Sequence, residues 1–267
     1  MIINFPVPVN LVSFTRFEYI AAMTIFRDIG QYLLMLSGMI SRPENAKMYW
    51  KEFIHQCSEI GVGSVGIVVI ISIFMGAVST VQTAYQLVSP VIPISVIAQV
   101  VRDTVILEFA PTLVCIVLAG VVGSKIASEL GNMRVSEQID ALEIMGINSK
   151  TYLVLPKIVA ALVVIPMLVI IAGVLGIWGG RLAGSMTGIV PPATFDQGLL
   201  DAFSPYNVIF ALYKAYTFAF IISSISAFYG YYVKGGALEI GRASTKAVVV
   251  SCIMILFADY ILAALLL

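Results

Sequence analysis

Five long apolar runs constrain this chain more than any other feature. Residues 60–81 and 158–180 carry no charged side chain, 104–124 carry only Glu108, 208–232 only Lys214, and 247–267 only Asp259. Each run is 21 to 25 residues long, enough for an α-helix to cross a hydrocarbon core of roughly 30 Å. In lipid every backbone N–H and C=O must be satisfied within the segment or by a closed barrel, so runs of this length become helices. The expectation is an all-α integral membrane protein with five transmembrane helices over residues 60–267. Composition agrees, with 60% hydrophobic and 11% charged residues against about 45–50% and 25% in soluble domains. The 15 basic and 15 acidic residues balance, which gives no pointer to nucleic acid as a partner.

The charges outside the runs alternate. Segments 82–95 and 182–207 have no Lys or Arg, the latter only Asp196 and Asp201. The interval 125–157 has Lys125, Arg134, Lys150 and Lys157, the loop 233–246 has Lys234, Arg242 and Lys246, and residues 1–59 have Arg16, Arg27, Arg42, Lys47 and Lys51. Basic residues collect on the cytoplasmic side, so the N-terminus is expected in the cytoplasm and the C-terminus outside. Arg102 and Arg181 fall on the other side; Arg102 has Asp103 beside it as a partner. Residues 1–59 read as interfacial. Apolar positions from 11 to 36 follow helical spacing, but Arg16, Glu18, Arg27 and Asp28 interrupt any window long enough to span. A polar elbow follows with Tyr49 and Trp50, suited to the headgroup level. No basic region precedes an apolar core at the start, so no cleavable signal peptide is expected.

The longest polar interval, residues 123–156, interrupts an otherwise apolar chain. Within it Val135, Ile139 and Leu142 recur at i, i+4 and i+7, the spacing of a short amphipathic helix, and Gly146 is a natural stop. Glu137, Asp140 and Glu143 then form an acidic cluster suited to a soluble, basic partner. The same pattern also fits a solvated connecting loop.

Catalytic chemistry finds little support. His55 is the single histidine. The run Gly61-Val62-Gly63-Ser64 lacks a histidine in any span to act as base for a serine nucleophile. No phosphate-binding loop of the Walker type occurs, so energy must come from a partner or a gradient. Cys57, Cys115 and Cys252 are scattered and suggest neither a disulfide framework nor a metal site. No internal repeat is evident. Glycines cluster instead, at 61, 63, 66 and 76 and again at 173, 176, 179, 180 and 184, where small residues permit close helix packing.

Intramembrane charges are costly unless they pair or face water. Lys214 lies about 10 Å and Asp259 about 12 Å from the same membrane surface, by the helical rise. A Lys214–Asp259 pair is therefore expected, with Glu108 near enough in depth to join. Such a cluster serves either helix packing or the handling of a charged substrate.

Three stretches carry a family resemblance: AGVVGSKIASELGNMRVSEQIDALEIMGI from residue 119, GIWGGRLAG at 176–184 and EIGRASTKAVV at 239–249. From about residue 50 to the end the chain resembles the MlaE family, the permease subunits of MCE-associated ABC lipid transporters. The resemblance implies a homodimeric, multi-pass inner-membrane permease of a bacterial cell. It implies a cytoplasmic ATPase subunit that binds ATP and Mg, a periplasmic MCE-domain protein, and phospholipid carried between inner and outer membranes in support of outer-membrane lipid homeostasis. The segment at about 128–146 is similar to the coupling helix of such permeases, which assigns Val135, Glu137, Ile139, Asp140, Leu142 and Glu143 to ATPase docking. At the second span this chain has Leu107-Glu108-Phe109-Ala110-Pro111, which keeps the family's acidic residue and proline but not its arginine. A lipid route needs apolar walls, and Ile70, Phe74, Met75, Val78, Leu256 and Leu262 are the expected wall residues. The alternative from another class is a self-sufficient ion-coupled carrier or channel using Glu108, Lys214 and Asp259.

Overall fold

The computed structural model describes residues 26–39, 46–87 and 93–266. The chain divides into two compact units, Met1–Arg42 and Pro43–Leu267. In the first, residues 26–38 form helix α1, which exposes Phe26, Ile29, Leu33 and Leu34 and buries Met35. Residues 11–25, the first half of the helix read as interfacial, lie outside the described residues.

The second unit contains α2 (Ala46–Gln86), α3 (Ser95–Val135), α4 (Gln138–Ile144), α5 (Lys150–Met186), α6 (Pro192–Leu200), α7 (Pro205–Tyr231) and α8 (Ala237–Leu266). Among the described residues α2, α3, α5, α7 and α8 are long and apolar enough to cross a membrane, in the order the apolar runs foretold. Their ends extend further than those runs. The expected boundary at residue 59 falls inside α2, because Lys47, Lys51 and Glu52 are good helix formers and simply continue the first span outward as its opening turns.

Packing of α2 on α5 uses the glycines. A Cβ added at Gly76 would overlap the carbonyl of Gly176, and one at Gly179 would overlap that of Ile73, so the two backbones touch along this seam. A Cβ at Gly180 would also overlap, with the Thr80 hydroxyl, whereas Gly184 has room for ordinary contact with Thr80 and Val190. Without a hydrophobic drive between helices in lipid, such close approach is what holds them. Gly63 and Gly66 meet nothing within 4 Å, so their faces of α2 stay open.

Helix α3 is not uniformly α-helical. Residues Val105–Leu113 and Ala119–Gly123 are wound as π-helix. Pro111 has no N–H for the carbonyl of Leu107 four residues back, and the local widening accommodates that loss. At its N-terminal end α3 carries α6 on a small apolar core of Ile97, Ala98, Val101, Val105, Val190 and Phe195. Here the two arginines that break the charge rule are both satisfied. Buried Arg102 donates to the carbonyls of Leu199 and Asp201, each at 2.8 Å, and to Asp103 at 2.9 Å. The first two are carbonyls at the end of α6, where a cation is favourable. Arg181 forms a two-pronged pair with Asp196 at 2.6 and 2.8 Å.

Candidate functional site

Three features stand out, beginning with the turn between α3 and α5. Residues 128–146 are not one helix. α3 runs on to Val135, the chain breaks at Ser136 and Glu137, and α4 covers only Gln138–Ile144. Glu137 adopts left-handed backbone (φ 58°, ψ 13°), a conformation that costs a non-glycine residue on the order of 1 kcal/mol and turns α4 away from α3. The i, i+4, i+7 register therefore does not cross the break. Ile139 is fully buried and Leu142 half-buried, while Val135 belongs to the preceding helix and is exposed. Gly146 (φ 80°) ends α4 in a Schellman motif, with Ile147 N–H donating to Leu142 O and Gly146 N–H to Glu143 O.

Two of the three acidic side chains on this turn are already engaged. Asp140 pairs with Arg134 at 2.7 Å. Glu143 Oε1 accepts from Ser149 Oγ at 2.8 Å and from Tyr231 OH at 2.9 Å, which ties α4 to the last residue of α7. These hydrogen bonds, Ser149's first, hold the Glu143 carboxyl below the usual carboxylate range. Glu137 is exposed. Beside the exposed Gln138 and Glu143, the C-terminal end of α4 presents an apolar pair: Ile144 is 87% and Met145 65% exposed. Helical spacing does not distinguish these two from core positions, but their place just before Gly146 puts them at the tip of a turn.

The second feature is the intramembrane charge cluster. Lys214 of α7 is 0% exposed; its Nζ lies 2.8 Å from Glu108 Oε1 and 2.7 Å from Asp259 Oδ1 and donates to Leu107 O at 3.0 Å. Thr112 Oγ1 bridges the two carboxyl groups at 3.2 Å each, and the Phe210 ring lies 5.0 Å from Nζ. The structure thus brings together all three charges singled out in the sequence, from α3, α7 and α8. It also supplies two groups the sequence did not flag: Thr112, one turn after Glu108, and the Leu107 carbonyl, which Pro111 cannot serve. Glu108 is 46% and Asp259 18% exposed, so the cluster is closed around Lys214 and opens at Glu108.

Crevices between helices are the third feature. At the α2 end that is poor in basic residues, a cavity of about 240 Å³ is lined by Met75, Val78, Ser79, Gln82, Thr83 and Gln86 of α2 and by α3. Two expected wall residues, Met75 and Val78, line it. Ile70 and Phe74 face outward on α2, Leu256 is exposed on α8 and Leu262 half-buried there, and none of the four lines this crevice. The amide and hydroxyl groups of Ser79, Gln82, Thr83 and Gln86 were not anticipated. Among the described residues no group of three or more His, Cys, Asp or Glu is placed to hold a metal ion. His55 is exposed near the start of α2.

Comparison with known proteins puts this architecture in a family. Residues 53–265 match the family model Permease MlaE. A probable ABC transporter permease protein of Rickettsia bellii is 38% identical over 88% of this chain and 91% of its own length. The chloroplastic protein TRIGALACTOSYLDIACYLGLYCEROL 1 of Arabidopsis thaliana is 31% identical over 86% of this chain and 66% of its own. The intermembrane phospholipid transport system permease protein MlaE of Haemophilus influenzae is 28% identical over 90% and 92%. With five membrane-crossing helices and a family match over most of its length, this chain belongs to the MlaE permease family, as the membrane-spanning permease of an ABC-type transporter.

Proposed function

We propose that this permease moves phospholipid between the inner and outer membranes of a bacterial cell, as one half of a homodimer driven by a separate cytoplasmic ATPase. α1, α4 and the loop before α8 face the cytoplasm, and the end of α2 and the C-terminus face the periplasm, where an MCE-domain protein receives or delivers lipid. The observation that carries the lipid assignment is the crevice between α2 and α3. Its walls are apolar where Met75 and Val78 line it, and its hydrogen-bonding groups are uncharged amides and hydroxyls. Apolar walls beside uncharged hydrogen-bonding groups suit an amphipathic molecule, and no charged side chain lines the crevice to hold an ion. The kinship with the Haemophilus influenzae phospholipid permease supports the same reading.

The apolar tip of α4 supports the ATPase. Ile144 and Met145 exposed side by side on a polar loop form the small apolar anchor a protein interface needs, and Glu137 beside them supplies a charge for steering. The intramembrane charges favour this reading over a self-sufficient ion-coupled carrier, since both carboxyl groups already have the Lys214 ammonium as their counter-ion. Purifying the permease from native membranes by an affinity tag tests the reading. An ATP-binding subunit, an MCE-domain protein and bound phospholipid should come with it; a permease that purifies alone and lipid-free, and takes up solute under a gradient, would replace it.

A further inference from the structure

The opposite end of the α2–α3 pair holds a second, differently built cavity, of about 190 Å³. Gln56, Glu59, Gly63 and Ser64 of α2 face Lys125 and Glu129 of α3 across it. Glu59 immediately precedes the first apolar run and Lys125 immediately follows the second, so the cavity lies at the boundary between hydrocarbon and water, where lipid headgroups sit. Its charges come in two pairs of unlike character. Glu129 is held from behind by Lys157 of α5, a lysine only 2% exposed and 2.7 Å from Glu129 Oε2. Lys125 pairs with Glu59, but there both side chains are nearly half exposed. A pair in that environment opens at little cost, and lysine's flexible stem lets the ammonium swing to a new anion. Gly63 borders the cavity, and a Cβ there would meet nothing within 4 Å, so the space beside it is empty rather than filled by packing.

We propose that this cavity binds the headgroup of a zwitterionic aminophospholipid from the cytoplasmic leaflet. The phosphate takes Lys125, with the Ser64 hydroxyl reaching it from the facing α2 wall, and the headgroup amine takes the carboxylate of Glu59 that Lys125 releases. One internal ion pair is exchanged for two with the ligand, and charge stays balanced because Glu129 remains with Lys157. A purely anionic headgroup that took Lys125 would leave the carboxylate of Glu59 without an amine to offset it. The site deepens the phospholipid reading above and rests on it for the choice of leaflet.

The test uses the full-length permease in phosphatidylcholine nanodiscs doped with a photoactivatable phosphatidylethanolamine whose diazirine sits at the glycerol, with adducts mapped by mass spectrometry. Adducts should concentrate on the peptides around residues 56–64 and 121–129. Lys125→Gln should lower them about tenfold, the loss of one charge-assisted contact, and Gly63→Leu, which occupies the space without touching a charge, should lower them as well. Lys125→Arg should keep most of the labelling, and adducts elsewhere on the helices should not change in any variant. A photoactivatable diacylglycerol or phosphatidylglycerol that labels these peptides as strongly as the phosphatidylethanolamine would overturn the headgroup assignment, as would unchanged labelling in both Gly63→Leu and Lys125→Gln. Loss of adducts on adding millimolar phosphoethanolamine or inorganic phosphate would make the ligand a soluble phosphate compound and overturn the lipid source. Thiol labelling of single-cysteine variants from each side of sealed vesicles reads the leaflet separately. Adducts intact at the opposite surface would reverse the orientation proposed above and leave the headgroup pocket standing.

Discussion

Replacing Lys214 by Met keeps the unbranched stem, one atom shorter, and removes the charge from the centre of the cluster. Two carboxyl oxygens then face each other across Thr112 with no ammonium between them, and the Leu107 carbonyl loses its donor. At 2.7 and 2.8 Å each attraction is on the order of 6 kcal/mol gross at an effective dielectric of 20. Most of that is offset by the desolvation of Lys214. Measured losses on removing one partner of a buried pair are about 3–5 kcal/mol, and K214M should fall in that range. Glu108→Gln should cost about 1 kcal/mol or less, since Glu108 is 46% exposed and its pairing is screened. Asp259→Asn should lie between them at roughly 1–3 kcal/mol. SDS-titration unfolding of the purified protein, followed by the fluorescence of Trp50 and Trp178, gives the three values. The decisive comparison is K214M combined with D259N. If the pair is the unit, the double variant should be less damaged than the sum of the singles by about 1–3 kcal/mol. Additive losses, or a K214M variant within about 1 kcal/mol of the parent protein, would refute the cluster as a packing element. Exchanging the two residues should restore only part of the loss, because a carboxylate at position 214 would face the Leu107 carbonyl.

Other consequences are local. Glu143 has a folded-state pKa below its ordinary value, so its contribution is present above the ordinary carboxylate pKa of about 4.3 and is lost as pH falls through the lower folded value. Protection from hydrogen exchange at 138–147, taken relative to the intrinsic rate at each pH, should therefore fall between about pH 5 and pH 3, and Glu143→Gln should abolish that step; an unchanged step would mean another group is responsible. Gly76→Val should cost about 3 kcal/mol or more through overlap with the Gly176 carbonyl, whereas Gly66→Ala, with open space around it, should be neutral or stabilising by up to about 1 kcal/mol; the unfolding midpoints decide. Ile144→Asp should release the ATPase, read by co-purification, without lowering the permease's own stability. By contrast Glu143→Lys should disturb the α4–α7 tie as well, so charge reversal there does not report on docking alone.

The five spans were legible because lipid imposes one rule on composition, and it leaves long runs without charge. Gly146 was legible because a helix ending in left-handed backbone favours glycine there. The Lys214–Asp259 contact followed from depth counting, since helical rise turns sequence position into height. The break at Ser136 and Glu137 was not legible. A left-handed glutamate is no preference of its type, and it holds because Arg134 and Asp140 are joined across the turn. For the same reason the acidic face read from Glu137, Asp140 and Glu143 divides into one free and two engaged side chains, a distinction that depends on Ser149 and on Tyr231, far along the chain. The start of α2 was set too late because a hydropathy window stops at charges while a helix does not. α6 had its signal in the Pro191-Pro192 pair, the second proline being at its first turn, yet its role depends on the carbonyls it offers to Arg102.

ATP-dependent lipid movement by the reconstituted complex tests the central claim most directly. Permease and co-purified ATPase in proteoliposomes carrying a fluorescent phospholipid, with the MCE-domain protein as acceptor or donor, should transfer that lipid only when ATP and Mg are on the side that α4 faces. An Ile144→Asp permease should transfer none. Phospholipid transfer that proceeds equally without ATP, or solute uptake by the permease alone under an ion gradient, would contradict it.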